Sequence, residues 1–371
     1  MTAKNPEADS DQGAGLPLLA VFTLASLSAL GPLAIDMYLA AFPTISSDFS
    51  TSEVATQFTL TAFMLGMGTG QFLIGPLSDK LGRRRPLLFG IAFCALSALA
   101  CFLAPSIELF IAARFLMGFT GSIGMVISRA IVADSTQGAQ TARLMSLLMM
   151  INGFAPVLAP LLGGLILSYG HWRTIFAFIA LFVLCSLALV IFTIKESLPP
   201  EARRQGSLLG SYRGMVEALQ VGSYRGYMLT LVFGFGALFA YISGSPYLLQ
   251  KVLGLSEIHF TYAFGINSLG IVLASSINRR LVGKVDPRKV LKAGSALMLA
   301  ATGGLLLHLL TGPLLPVTLL LLFSFTTSCG LIFGNASALA LGQVKPVAGA
   351  ASALMGTFQA LAGVLASPLV A

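Results

Sequence analysis

Two charged side chains lie deep inside apolar stretches of this sequence, where they could do chemistry. Asp36 interrupts the apolar run 16–42, and Arg114 interrupts the run 107–133. On insertion scales, a charge at the centre of a membrane-spanning helix costs about 2.5–3.5 kcal/mol, so such a residue is kept mainly for function. A carboxyl group can neutralise its own charge by binding a proton. The sequence therefore predicts that Asp36 is a proton-binding site.

The positions of these two charges also predict that they lie at the same depth. Asp36 comes six residues before the end of its run, and Arg114 comes seven residues after the start of its own. At about 1.5 Å per helical residue, both lie roughly 9–10 Å from the same membrane boundary. A pair at this depth would lower the desolvation cost of each charge. We expect a functional pair, and the alternative is a static ion pair that only fixes helix packing.

The composition indicates that lipid is the solvent of this chain. Of its 371 residues, 56% are hydrophobic and only 10% are charged, and the mean hydropathy is +0.88. Soluble domains carry about 25% charged residues. The net charge of +8 resides in short gaps between apolar runs, so no nucleic-acid partner is expected. The cysteines show no metal-ligand or CxxC spacing, and no metal or other cofactor is expected.

Eleven apolar runs are long enough to cross a hydrocarbon core, which requires about 20 helical residues. The long polar gap 195–225 separates six runs from five, and we expect a twelfth span beyond Ala371 because six-plus-six repeats are a common plan. The predicted domains are a tail (1–15), a six-helix bundle (16–194), a linker (195–225) and a second bundle (226–371). The predicted spans are 16–42, 54–78, 86–104, 107–133, 144–168, 173–194, 226–249, 260–282, 290–310, 313–341 and 347–371.

Charge in the gaps predicts the orientation of the chain. One set of alternate gaps holds nearly all of the lysines and arginines, whereas the other set holds only Arg173 and Lys251. Basic loops stay on the cytoplasmic side of a membrane. We therefore expect a multi-pass protein of the bacterial inner membrane whose N-terminus is cytoplasmic.

The gap after the second run has a specific order of residues. Its pattern, G-x-L-S-D-x-x-G-R-R-R, contains Gly75, Asp79, Gly82, Arg83 and Arg84. The glycines allow tight turns and close approach of the backbone. A carboxylate beside three arginines can pair with them, so this gap is more than a generic basic loop.

This gap resembles the signature of the major facilitator superfamily, G-x-L-x-D-x-x-G-R-[RK], between spans two and three. The resemblance implies an all-α membrane fold of two six-helix bundles, with substrate bound between them and alternating access. It also implies that the acid and arginines of the gap form a latch, which joins the two bundles on the cytoplasmic side in one state and releases them in the other.

The fifth run resembles a second signature, the antiporter motif of drug–proton exchangers. Steps of three and four place residues 152, 156, 160, 163 and 164 on one helical face. Ala159 stands where the motif usually has glycine, so the match is partial. The alternative is ordinary glycine-rich packing. The residues that match are Gly153, Pro156, Pro160, Gly163 and Gly164.

Three further stretches, 31–43, 114–134 and 241–247, resemble the bicyclomycin/chloramphenicol resistance (Bcr/CflA) branch of proton-coupled multidrug exporters. The resemblance implies export of small apolar or cationic drugs in exchange for protons, with Asp36 as the proton site and Arg114 as the characteristic arginine of span four. Met117 departs from that branch, which often has glutamine there.

A substrate cavity is expected to use aromatic, methionine and amide side chains, because such surfaces adapt to varied apolar ligands. Each of these residues could instead lie in a packed core or face lipid. The candidates are Tyr38, Met150, Asn152, Tyr241, Tyr247 and Asn267.

Other functions are less consistent with the sequence. An enzyme is not expected, since we find no HExxH, paired acids or nucleophile elbow. A channel would need rings of charge or a filter loop, which are absent. Export of a natural metabolite or an amino acid by the same fold remains an alternative. The partners expected are a drug, protons and the lipid bilayer, and the chain is expected to act as a monomer.

Overall fold

The computed structural model describes residues 16–136, 138–203, 209–281, 284–344 and 347–366. Within these ranges the chain is helical and contains no strand. The helices are α1 (Leu18–Asp36), α2 (Phe42–Asp48), α3 (Glu53–Leu81), α4 (Arg84–Leu103), α5 (Ile107–Ser135), α6 (Gly138–Tyr169), α7 (Arg173–Thr193), α8 (Leu209–Gln220), α9 (Gly222–Pro246), α10 (Glu257–Leu281), α11 (Pro287–Leu310), α12 (Leu315–Gly342) and α13 (Ala348–Ala366).

The predicted spans correspond to these helices. In the described ranges, nine helical segments are long and apolar enough to cross a membrane, and shorter apolar stretches in α6 and α13 account for the other two runs. The first span is broken: α1 ends at Asp36, a 3₁₀ turn follows at Leu39–Ala41, and α2 continues to Asp48. Helix α8 lies inside the stretch predicted as a linker, and α9 begins at Gly222, four residues before the predicted second bundle.

The helices pack as two halves. Helix α1 and helices α3 to α7 form the first half, and α9 to α13 form the second. The halves contact each other mainly where α6 meets α10 and where α3 meets α13. Glycines permit close packing inside each half: a Cβ at Gly118 would lie 2.0 Å from the carbonyl oxygen of Phe63, and one at Gly330 would lie 2.4 Å from that of Ile271.

The two ends of the bundle differ in chemistry. At one end, which we call the basic end, the predicted loop motif covers the last turns of α3 and the connection to α4. At the opposite end, the indole of Trp172 is fully buried and donates to Asp48 over 3.1 Å. The rings of Phe49, Phe110 and Phe176 surround this indole, with centroids 5.2–6.0 Å away. This aromatic cluster fixes the packing of the first half at that end.

Candidate functional site

A cavity of about 370 Å³ lies between the two halves. Helices α1, α3 and α5 line it from the first half, and α9, α10, α12 and α13 line it from the second. Methionine and phenylalanine side chains supply much of the wall, which suits varied apolar ligands. The polar lining residues are Asp36, Gln71, Arg129, Tyr241, Ser268, Thr326 and Gln359.

Asp36 is the one acid among the described lining residues of this cavity. Asp36 is only 3% exposed, and it is the last residue of α1, one turn after Pro32. The C-terminus of a helix carries a partial negative charge, so an ionised carboxylate is unfavourable there. A proton or a cationic group beside this carboxylate would remove that unfavourable interaction.

Arg114 is fully buried, and it does not line the cavity. Its Nη1 donates to the carbonyl oxygen of Ala34 over 2.9 Å. The guanidinium carbon lies 4.3 Å from the ring centre of Tyr38, 4.4 Å from that of Phe63 and 5.7 Å from that of Phe176. Its Nε and Nη2 make no hydrogen bond of good geometry in the described structure.

The structure therefore corrects the predicted ion pair between Asp36 and Arg114. The two residues lie at the same depth as expected, because Arg114 binds the carbonyl two residues before Asp36. However, the ion pairs found among the described residues do not include one between them. Counting residues along helices gives depth but not the direction of a side chain around the helix axis. Arg114 faces aromatic rings, whereas Asp36 faces the cavity.

Tyr241 is the member of the predicted cavity set that lines the wall. Its ring stacks on Phe264 with centroids 5.5 Å apart, and its hydroxyl accepts a hydrogen bond from Asn267 Nδ2 over 2.9 Å. The hydroxyl is also within electrostatic reach of Asp36. In the hydrogen bond from Asn267 the Tyr241 oxygen is the acceptor. The hydrogen of the Tyr241 hydroxyl therefore remains able to donate to a group in the cavity.

Three other predicted cavity residues, Tyr38, Tyr247 and Asn267, do not line this wall. Tyr38 is fully buried beside Arg114, and Asn267 lies behind Tyr241. Tyr247 lies at the opposite end, where its hydroxyl is 3.0 Å from that of Ser46. These residues were chosen by type, and a residue's type does not determine the face on which it lies. The side chains of Met150 and Asn152 lie outside the described part of the structure.

Arg129 and Gln71 are among the polar cavity residues that were missed from the sequence as site residues. Arg129 was assigned to the basic gaps, but it lines the cavity on α5, five residues before Asp134 at the basic end. Gln71 lines the wall from α3, and its Nε2 lies 3.7 Å from the sulfur of Met125. The cavity therefore extends from Asp36 toward the basic end, with opposite charges near its two limits.

The antiporter-type motif lies at helix contacts on both sides of α6. A Cβ at Gly163 would lie 1.9 Å from the carbonyl oxygen of Met37 on the break after α1. A Cβ at Gly164 would lie 2.6 Å from the hydroxyl of Thr261 on α10, in the other half. Pro160 is buried on the same helix, whereas the environments of Gly153 and Pro156 lie outside the described structure.

The loop motif at the basic end forms a compact polar network. The guanidinium of Arg83 donates to Asp79 over 2.5 Å, to the Ser78 hydroxyl over 2.7 Å and to Asp134 over 2.8 Å. These partners all belong to the first half. The predicted latch residues are thus linked to one another in this state. Arg84 extends the network by donating to the carbonyl of Ile191 over 3.1 Å.

Glu196 completes this network from the segment after α7. Its carboxylate accepts from the backbone N–H groups of Arg83 (2.8 Å) and Leu198 (3.1 Å). Burial alone would raise the pKa of Glu196. These two hydrogen bonds, a third from the backbone N–H of Arg84, and the positive charge of Arg203 together hold that pKa below the usual range. Gly82 must adopt φ of 89° here, and a Cβ on it would lie 2.5 Å from Glu196. By contrast, a Cβ added at Gly75 would have no atom within 4 Å.

Polar contacts between the two halves occur at the opposite end. Thr44 donates to Glu257 over 2.6 Å, and the Gln250 amide donates to the carbonyl of Ala40 over 3.1 Å. Lys251 forms an ion pair with Glu53. Lys251 and Gln250 lie on a π-helical turn, Tyr247–Val252, that continues α9. These contacts hold the halves together on the side of the cavity remote from Arg129.

Two helical halves enclosing a central, partly polar cavity define a membrane transporter. The Major Facilitator Superfamily family model matches residues 24–367, and the chain belongs to this family. It is therefore a multi-pass membrane transporter and not an enzyme.

Three similar proteins agree with this assignment. The uncharacterized MFS-type transporter YdgK of Bacillus subtilis is 40% identical over 95% of this chain and 88% of the relative. The bicyclomycin resistance protein homolog of Haemophilus influenzae is 34% identical over the same shares. Multidrug resistance protein MdtL of Shigella dysenteriae is 28% identical over 90% of this chain and 83% of the relative.

A solved structure supports the fold. The crystal structure of a D-xylose–proton symporter superposes with a TM-score of 0.71 at 17% identity, covering 94% of this chain and 88% of that one. At this level of identity the likeness concerns the fold alone.

Proposed function

We propose that this chain exports small apolar or cationic drugs in exchange for protons, with Asp36 as the proton site. The observation that carries the proposal is the position of Asp36 as the one acid among the described residues of the cavity wall. The apolar and aromatic remainder of the wall suits varied drugs. Relatives named for bicyclomycin resistance and multidrug resistance support the same substrate class.

The coupling follows from competition at a single carboxylate. A cationic drug and a proton both neutralise Asp36, so occupancy by one reduces occupancy by the other. A ligand shifts the balance between inward-open and outward-open states only through a difference in its affinity for them. Protonation provides that difference by removing a charge from a cavity of low polarity. Drug then leaves on one side of the membrane as a proton binds on the same side.

We further propose that the basic end and the N-terminus are cytoplasmic in a bacterial inner membrane, and that the chain acts as a monomer. The excess of lysine and arginine in the gaps at that end supports the orientation. In this orientation the contacts between the halves close the outer side, and the cavity extends from Asp36 toward the cytoplasm. The structure then corresponds to the state that loads drug.

The proposal is tested by proton-driven efflux of a cationic dye in inverted vesicles. Asp36→Asn removes the titrating group with almost no change in shape, so uptake is expected to lose its response to the pH gradient. Glu108→Gln is the matched control, because Glu108 is an acid at a helix end outside the cavity. An Asp36→Asn variant whose dye uptake still follows the pH gradient as the native protein does would refute the assignment.

A second candidate is export of a metabolite or amino acid, which Arg129 on the cavity wall favours. A guanidinium there can bind a carboxylate as the substrate enters. Counterflow of a labelled amino acid, compared with counterflow of a labelled cation, separates the two functions. Inhibition by amino acids without inhibition by cations would support the second.

A further inference from the structure

A second opening lies on the lipid-facing side of the contact between α3 and α13. It encloses about 250 Å³, and its described lining is almost entirely apolar. Leu65 and Leu73 of α3 are 39% and 51% exposed at its rim, and Leu361 of α13 is 42% exposed. We call this opening the side crevice. It lies at a junction of the two halves, at the level of apolar segments that span the membrane.

The side crevice and the central cavity share two lining residues. Met64 and Ala360 line both spaces. Small residues bring the helices together here: a Cβ at Gly68 would lie 2.8 Å from that of Ala360, and one at Gly363 would lie 3.3 Å from the end of Met64. A methionine side chain is flexible and adapts to irregular neighbours. A change in the conformation of Met64 would therefore bring the crevice and the cavity closer to connection.

The side crevice and the central cavity, which meet at Met64, differ in chemistry, and together they indicate what kind of molecule could bind across both. The crevice presents hydrocarbon and opens toward the acyl chains of the bilayer. The cavity behind it presents the carboxylate of Asp36 and the amides of Gln71 and Gln359. A molecule with a cationic head and an apolar chain matches both surfaces at once. Such amphiphiles partition into membranes with their chains in the acyl phase.

We propose that the side crevice binds the hydrocarbon chain of amphiphilic cations, whose heads occupy the cavity at Asp36. These substrates reach the cavity from the bilayer between α3 and α13. This inference rests on the proposed function, because it takes Asp36 as the site for the cationic head. It adds a second subsite and predicts that chain length governs recognition.

The test is transport of a chain-length series by the reconstituted full chain. The probes are tetramethylammonium, which has no chain, and trimethylammonium ions with hexyl, octyl and decyl chains. Leu361→Trp fills the crevice from its rim. Leu365→Trp is the matched control, since Leu365 lies one turn further along α13, is 66% exposed and does not line the crevice.

For the native chain, KM is expected to fall as the alkyl chain lengthens, because each buried methylene strengthens binding. Leu361→Trp is expected to raise KM for the decyl ion by about fivefold or more while leaving tetramethylammonium unchanged. Leu365→Trp is expected to change neither. Leu361→Ala enlarges the crevice and is expected to lower KM for the decyl ion, which keeps the test decisive if the tryptophan variant does not fold.

Two outcomes would overturn the proposal, and they differ. In the first outcome, both tryptophan variants change the KM of all four ions alike, or both Leu361 variants keep the native dependence of KM on chain length. The crevice is then a lipid-packing groove, and only this inference fails. If the native chain transports none of the four ions, the proposed function fails together with it.

Discussion

Nη1 of Arg114 donates to the carbonyl oxygen of Ala34 over 2.9 Å, two residues before Asp36. This bond joins α5 to the last turn of α1, immediately before the break in the first span. The guanidinium is otherwise surrounded by aromatic rings. The position of Asp36 on the cavity wall therefore depends on a buried arginine that does not itself line the cavity.

This arrangement predicts that Arg114 contributes little to stability. A buried charge with unsatisfied donors carries a desolvation cost, and replacing such groups with apolar ones is often neutral or stabilising. Arg114→Met is expected to leave the melting temperature in detergent unchanged or raised, while proton-coupled efflux falls by about tenfold or more. Melting can be followed with a thiol-reactive dye in a Cys185→Ser background, because Cys185 is exposed whereas Cys94, Cys101 and Cys329 are buried in the folded protein. A marked loss of thermal stability in the variant would instead assign Arg114 a packing role.

The contact of α6 with the break after α1 is expected to tolerate no added side chain. Gly163→Ala would place a methyl group against the Met37 carbonyl, and overpacking of this kind typically costs about 1–3 kcal/mol. The melting temperature should fall. Gly303→Ala is the matched control, since no atom lies within 4 Å of the position of its new Cβ. In α11 that change should stabilise the helix by up to about 1 kcal/mol. Equal effects of the two variants would contradict the packing described at Gly163.

The network at the basic end should make stability depend on pH through Glu196. Its pKa is lower in the folded protein than the usual value of about 4.3. The stabilisation is therefore complete above that usual value and is lost as the pH falls through the folded pKa. Glu196→Gln should lower the melting temperature at pH 6 to 7, and the difference from the native protein should shrink below about pH 4.

Glu201→Gln serves as the control for this experiment, because Glu201 is an exposed glutamate of the same segment. Its melting temperature should follow that of the native protein across the pH range. A constant difference between native and Glu196→Gln at every pH would show that the Glu196 carboxylate contributes through shape and not through charge.

The ion pair between Glu53 and Lys251 should bias the transporter toward closure of the opposite end. Both side chains are partly exposed, at 40% and 48%, and exposed pairs contribute about 0.2–1 kcal/mol. Glu53→Gln should therefore increase the population open at that end by up to about fivefold. The measurement is the rate at which a membrane-impermeant maleimide labels Ser268→Cys in the cavity.

A charge swap, Glu53→Lys with Lys251→Glu, is the control for this pair. It should return the labelling rate close to that of Ser268→Cys alone, because the attraction between the halves is restored. A swap that labels as fast as Glu53→Gln would show that the pair does not control opening.

Much of the fold could be predicted from hydropathy, because a membrane-spanning helix needs a long apolar run and nothing else local. The loop motif was also recognisable, and Asp79 and Arg83 interact as their spacing suggested. The role of Glu196 was not predictable, since it lies 113 residues from the Arg83 backbone that it binds. Such long-range pairing depends on how α7 packs beside α4.

The site was predicted only in part. Asp36 was identified because a carboxylate in an apolar run is conspicuous, but the direction of Arg114 depends on the rings that surround it. Arg129 was missed because a basic residue near the end of a span resembles an orientation signal. The packing of α5 against its neighbours determines whether Arg129, near the end of this helix, faces water, lipid or the cavity.

Trp172 is the only tryptophan in the chain, and it lies at the end where polar contacts join the halves. Its intrinsic fluorescence therefore arises from a single known position. Separation of the helices near Asp48 would hydrate the indole and shift its emission to the red. The unlabelled protein thus carries its own optical reporter of helix packing within the first half at this end, which can be read during turnover without chemical modification.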